Sequence, residues 1–241
     1  MLFRSRIEWE LDGFELGLKD FPEKFDPIAK EFSMNWRVVP SSHRPRVAIF
    51  VSKHDHCLVD LLYRQRNGEL ACDVAMIVSN HPNAKRDADF YGIPFWVIPV
   101  TKENKLEAER QELQLLRQYE IDLIVLARYM QVLSTDFIGR YPQQIINIHH
   151  SFLPAFVGAK PHLQAYERGV KLIGATAHYV TEVLDDGPII AQGVAQISHR
   201  DTLDDLVEKG RDLERVVLSR AVRWHIENRI LLYDQKTVIF E

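Results

Sequence analysis

RVAIFVS at residues 46–52 and IDLIVLARY at residues 121–129 decide the fold: each is a short run dominated by Val, Ile, Leu and aromatic residues, with little polar alternation. A strand with one face in water alternates apolar and polar side chains, whereas a run apolar on both sides suits a strand covered on both faces, as in a parallel sheet. ACDVAMIVS (71–79), PFWVIPV (94–100), INIHH (146–150) and IGATAHYV (173–180) repeat the pattern. Amphipathic stretches separate them. Cys57 to Arg66 sets Leu58, Leu61 and Leu62 on one side and runs into Asn67-Gly68, a helix stop. Asn104 to Tyr119 and Leu203 to Ile230 read as further helices, the latter with Thr202 as N-cap and Asp204 and Asp205 near the positive end of its dipole. Strands alternating with helices imply an α/β class with a mostly parallel sheet.

Residues 1–40 break this rhythm. Phe3 to Leu11 reads as a strand, Pro22 to Phe32 as a helix and Trp36 to Val39 as a second strand, and PSSHRP (40–45) reads as a linker. The expected domains are therefore a small α+β segment over 1–40 and a main domain over 46–241. So small a segment is expected to pack on the main domain or on another chain.

The 241 residues, 46% of them hydrophobic, can bury a substantial core. A net charge of −4 and a pI near 6.2 offer no footprint for nucleic acid. Cys57 and Cys72 lack the spacing of a zinc site, and no secretion signal or membrane-length apolar run occurs, so the expected setting is the cytoplasm, without membrane or nucleic-acid partners.

The chemistry concentrates in IINIHHSFLPAFVGAKPHLQAYERG (145–169) and IGATAHYVTEVLDDGPIIAQ (173–192). Asn147 and His149, two apart on a strand, point to one face. Asp185 follows the next strand on a loop able to return to them. An amide and a protonated imidazole can stabilise the oxyanion of an acyl-transfer intermediate, while a carboxylate orients or deprotonates the nucleophile. Each residue also has a structural reading alone: Asn147 as a turn former, His149 and His150 as satisfied buried histidines, Asp185 to Pro188 as a turn. No metal site is expected, because adjacent His149 and His150 face opposite sides and helical zinc spacings are absent.

Asn147-Ile148-His149-His150-Ser151-Phe152-Leu153-Pro154 and His178-Tyr179-Val180-Thr181-Glu182-Val183-Leu184-Asp185-Asp186-Gly187-Pro188 together resemble the NxHxSxLP and HxVTxxxDxGP motifs of the folate-dependent formyltransferase family. The resemblance spans residues 45–230 and implies a Rossmann-like formyltransferase fold. It implies Asn147 and His149 at the formyl oxygen and Asp185 organising proton transfer. It further implies a pterin site built from Tyr129, Met130, Gln131, Val132 and Leu133 on one side and the 180–185 loop, with Thr181 and Glu182, on the other, with His178 binding the pterin or positioning that loop. His150 is the weaker candidate for positioning water, and Ser151 is read as a turn-capping hydroxyl.

Three acceptors arise within that family. A glycine-rich loop after the first strand serves a nucleotide phosphate, but Val51 to Leu58 contains no glycine and carries Asp55, which disfavours glycinamide ribonucleotide. A C-terminal tRNA-binding domain is not expected in the LLYDQKTVIFE tail. Water remains, which implies hydrolysis of 10-formyltetrahydrofolate to formate and tetrahydrofolate, a source of formate for purine synthesis, with folate as substrate and no cofactor. The same resemblance makes residues 1–40 the strand–helix–strand half of an ACT-like (ferredoxin-like) domain lacking its first βαβ, and implies a homo-oligomer. The alternatives are an amine formyltransferase and a non-catalytic folate-binding regulator.

Overall fold

The computed structural model describes residues 4–155 and 161–240, which fall into two compact units, Met1–His43 with Phe240 and Arg44–Ile239 with Glu241. In the first, α1 (Phe21–Glu31) forms where the helix was expected, with Pro22 in its first turn, where the missing N–H does no harm. Trp9, Phe14, Phe21, Phe25 and Trp36 pack ring on ring around it, with Phe25 and Trp36 centroids 4.9 Å apart. The two strands expected at 3–11 and 36–39 are not formed among the described residues. Strand-like composition acquires strand geometry only where another strand takes up its N–H and C=O groups, and this unit offers none.

The second unit follows the alternating pattern: β1 (Arg46–Val51), α2 (His56–Arg66), β2 (Asp73–Ser79), α3 (Lys85–Tyr91), β3 (Phe95–Val97), α4 (Lys105–Gln118), β4 (Leu123–Ala127), α5 (Thr135–Arg140), β5 (Ile145–His149), α6 (Pro161–Arg168), β6 (Leu172–Tyr179), β7 (Ile189–Gln196), α7 (Leu203–Ile226), β8 (Ile230–Tyr233) and β9 (Lys236–Ile239). The seven-stranded sheet has the order β3-β2-β1-β4-β5-β6-β7. The first five strands are parallel; β6 and β7 are antiparallel. α7 stops at Ile226, four residues before the expected Ile230, because residues 230–239 form the β8–β9 hairpin. Its start carries the expected cap: Thr202 and Asp205 exchange side-chain and backbone hydrogen bonds.

Alternate residues of each strand feed two cores. Val47, Ile49, Val51, Leu123, Val125, Ile146 and Ile148 pack with α2 and α7. Ala48, Phe50, Met76, Ile124, Leu126 and Ile145 face α4 and α5. This second cluster takes Ile145 from β5 and nothing from β6, so among the described residues the rest of β5 and all of β6 have no part in an apolar helical cover on that face. No helix among the described residues is long and apolar enough to cross a membrane.

Candidate active site

The face left without a helix carries the polar residues. β5 and β6 pair Asn147 with His178 and His149 with Thr176, and directly opposed residues of an antiparallel pair share a face. Asn147, His149, Thr176 and His178 thus form one polar patch. Over it lies the 180–188 loop, closed at its base where Tyr179 N donates to Pro188 O at 3.0 Å. Asp185 occupies that loop at φ +56°, a left-handed conformation that Asp tolerates better than most residues.

The structure brings Asn147, His149, His178 and Asp185 together. Asp185 Oδ2 is 3.2 Å from His149 Nδ1, and Oδ1 is 3.7 Å from His178 Nε2. Nδ1 of His178 donates to the Tyr179 carbonyl at 2.9 Å, which leaves Nε2 to accept from Asn147 Nδ2 at 3.3 Å. The hydrogen bond from His149 holds the Asp185 carboxyl well below the usual carboxylate range, against the opposing effect of burial. Asp185 is therefore an ionised anchor for His149 and a weak proton acceptor. Nε2 of His149, at the other end of the ring, is buried and has no hydrogen-bond partner among the described residues.

A second layer fixes the turn after β5. Thr176 Oγ1 donates to Ser151 O at 2.9 Å and accepts from Leu153 N at 3.1 Å, while Gln192 Nε2 donates to Leu153 O at 3.0 Å. Ser151 Oγ donates to Ala155 O at 2.9 Å, so the hydroxyl braces the turn leading into Leu153-Pro154, which carries a cis peptide bond.

The expected pterin segment divides. Met130 and Val132 are each 57% exposed, and Val183 and Leu184 on the 180–188 loop are also exposed, giving four apolar side chains that face no core. Thr181 is spent on the loop itself, its hydroxyl donating to Val183 O at 3.1 Å, and the exposed Glu182 stands beside it. Tyr129 and Leu133 require a correction as side-chain contacts, for both are buried in the α4–α5 core. The Tyr129 ring stands edge-on to Phe50 and its hydroxyl donates to Glu112 Oε1 at 2.7 Å. The break at Arg128, φ +64°, explains this: Leu123, Val125 and Ala127 face α2 and α7, and without it Tyr129 would follow them, but it falls on the other side with Ile124 and Leu126.

A further polar group, absent from the sequence reading, lies at the carboxyl ends of β1, β4 and β5. Glu214 of α7, 2% exposed, accepts from His56 Nε2 at 2.7 Å, with Arg128 Nε 3.5 Å from the same oxygen. Arg128 has φ +64°, which breaks the alternation of β4 and accompanies the approach of its guanidinium to α7. His150 belongs to this group: burial and then Arg128 push its imidazole down to about 3, so it stays neutral. One sequence signal was available. Glu214 falls on the buried stripe of α7 with Gly210, Val217, Leu218 and Ala221, where a carboxylate needs a partner. His56, Cys57 and Glu214 are close enough to hold an ion, their ligand atoms lying within 4.8 Å of one another. The Arg128 cation already stands against that carboxylate and opposes a metal there.

Comparison with known proteins places this geometry. The formyl transferase family matches residues 45–222. A formyltetrahydrofolate deformylase from Synechocystis sp. is 56% identical over 239 residues, covering 99% of this chain and 84% of that one. The Bacillus subtilis formyltetrahydrofolate deformylase is 47% identical, covering 99% and 79%. Among solved structures, a formyltetrahydrofolate deformylase from Pseudomonas syringae superposes with a TM-score of 0.93 at 49% identity, covering 95% of this chain and 77% of that one. A glycinamide ribonucleotide transformylase from Symbiobacterium toebii gives 0.78 at 27% identity, covering 86% and 99%.

Proposed function

The chain belongs to the formyl transferase family, and we propose that within it the chain is a hydrolase that converts 10-formyltetrahydrofolate and water to formate and tetrahydrofolate. The observation that carries this is the contrast in likeness: near full-length identity of 56% and 47% to deformylases, against 27% to a transformylase of the same fold. The absence of glycine from Val51 to Leu58 and the charged group Arg128, Glu214 and His56 beside the site support water over a nucleotide amine.

In the mechanism we assign, Asp185 stays ionised and keeps a proton on the His149 ring. His149 Nε2–H and the remaining Asn147 amide hydrogen donate to the formyl oxygen, the position where negative charge grows. Water attacks the formyl carbon and a tetrahedral intermediate forms; of the two protons of that water one passes to the folate nitrogen as the C–N bond breaks and the other is released to solvent, and formate leaves as the anion. Met130, Val132, Val183 and Leu184 supply apolar surface for the pteridine, with Gln131, Thr181 and Glu182 as polar contacts, while His178 positions Asn147 and Asp185. We assign the reaction to the cytoplasm and to a homo-oligomer, which sedimentation of the purified chain tests.

The functional test is release of formate from 10-formyltetrahydrofolate with no amine present. Stoichiometric formate and tetrahydrofolate are expected. Turnover only on addition of an amine, with formylated amine as product, would overturn the assignment.

A further inference from the structure

Four buried side-chain atoms lack a hydrogen-bond partner among the described residues, and three of them lie at or beside the active site: His149 Nε2, Arg128 Nε and Arg128 Nη1. The first is accounted for by the formyl oxygen. Arg128 is not. Its Nε and Nη1 donate no hydrogen bond to a described residue, although the side chain is only 13% exposed. Buried donors are nearly always satisfied, and a guanidinium that is not points to an acceptor that completes it.

The position narrows the acceptor. Arg128 stands one residue past the end of β4, beside β5, which ends at His149. His150 lies next to His149, ring centroids 5.2 Å apart, and His162 of α6 follows at 6.0 Å from His150. The group stands where the sheet order reverses between β1 and β4, at their carboxyl ends, the place where open α/β sheets bind ligands. Nε of Arg128 is turned toward Glu214, whose charge is also met by His56, which leaves the Nη end for a second anion. A guanidinium end recognises a carboxylate with two parallel N–H bonds.

We propose that the Nη end of Arg128, flanked by His150 and His162, is the binding site of a one-carbon carboxylate, the formate ion that leaves the neighbouring His149. The identity of the ion rests on the hydrolase reading; the site rests on Arg128. Its consequence is that the product departs on the side away from the folate, along the α6–α7 side of the sheet.

The test uses the full chain and sodium [13C]formate, followed by carbon line width without folate, with sodium acetate as the size control. Saturable formate binding is expected, with acetate at least about tenfold weaker. Arg128→Gln should weaken formate at least about tenfold, and Arg128→Lys should recover part of it. Because Arg128→Gln leaves Glu214 buried with one cation fewer, Arg128→Gln/Glu214→Gln is measured beside it, and the same loss is expected. Formate that does not bind the wild type, or binds both Gln variants as well as wild type, overturns the site. A parallel assay of 10-formyltetrahydrofolate turnover keeps the two readings apart. Arg128-dependent binding without deformylation would sink the hydrolase and keep the anion site; deformylation without Arg128-dependent binding would do the reverse.

Discussion

Asp185 and Glu112 are both carboxylates in the interior half of the protein, and their surroundings drive them in opposite directions. Asp185 is held ionised by His149, so the stability it lends is present above the ordinary carboxylate pKa and is lost progressively as the pH falls from there through its lowered value. Asp185→Asn keeps the shape and loses the charge, and should slow formate release by on the order of a hundredfold. The wild-type to variant ratio of kcat should stay flat between about pH 6 and 8, where ordinary carboxylates have already ionised; a tenfold change in that ratio would show Asp185 titrating there. Burial pushes Glu112 up to about 7, against the hydrogen bond from Tyr129. A carboxyl raised in the folded state stabilises most below its unfolded pKa, and that contribution is lost as pH rises through the folded value. Glu112→Gln should therefore be more stable than wild type at about pH 8, by up to about 3 kcal/mol, with the gap closing toward about pH 4.5, as urea midpoints would show. Asn147 and His149 could be placed on one face from sequence because the strand period is two. Arg128 could not, since nothing in LARYMQVL announces the positive φ that takes it out of that period.

The 180–188 loop is where element geometry meets chemistry. A Cβ on Gly187 would fall 1.7 Å from the Tyr179 carbonyl oxygen, so any side chain there must displace the backbone that presents Asp185. Gly187→Ala should fold yet release formate at least about tenfold more slowly, since small misplacement of a catalytic group is costly in rate. Gly139→Ala, with nothing within 4 Å of the added methyl, is the control and should leave the rate unchanged. The long, strongly patterned elements were legible: β1, β2, β4, α2, α4 and the start of α7 lie within a few residues of where composition and caps put them. α3, α5 and α6, of 7, 6 and 8 residues, are too short to show a helical period. β7 escaped because it is an edge strand whose IIAQGVAQ mixes glutamines and glycine with its apolar residues. The strand-like ends of residues 1–40 failed for the reverse reason, local composition without a pairing partner.

At the level of the molecule, the seven-stranded sheet and both of its apolar clusters are complete within residues 44–239. A chain beginning at Arg44 should accordingly unfold as one cooperative transition and deformylate within about threefold of the full chain, since two-state behaviour follows from a single shared core; formate release and a thermal melt measure both. The antiparallel docking of β6 on β5 carries a further implication. His178 opposes Asn147 only in the observed alignment, and one extra residue after Ala175 would swing Thr176 and His178 to the α7 side of the sheet, stripping both the turn brace and the amide's partner in one step. The spacing from Ala175 to His178 is thus a ruler whose length natural variation should leave untouched.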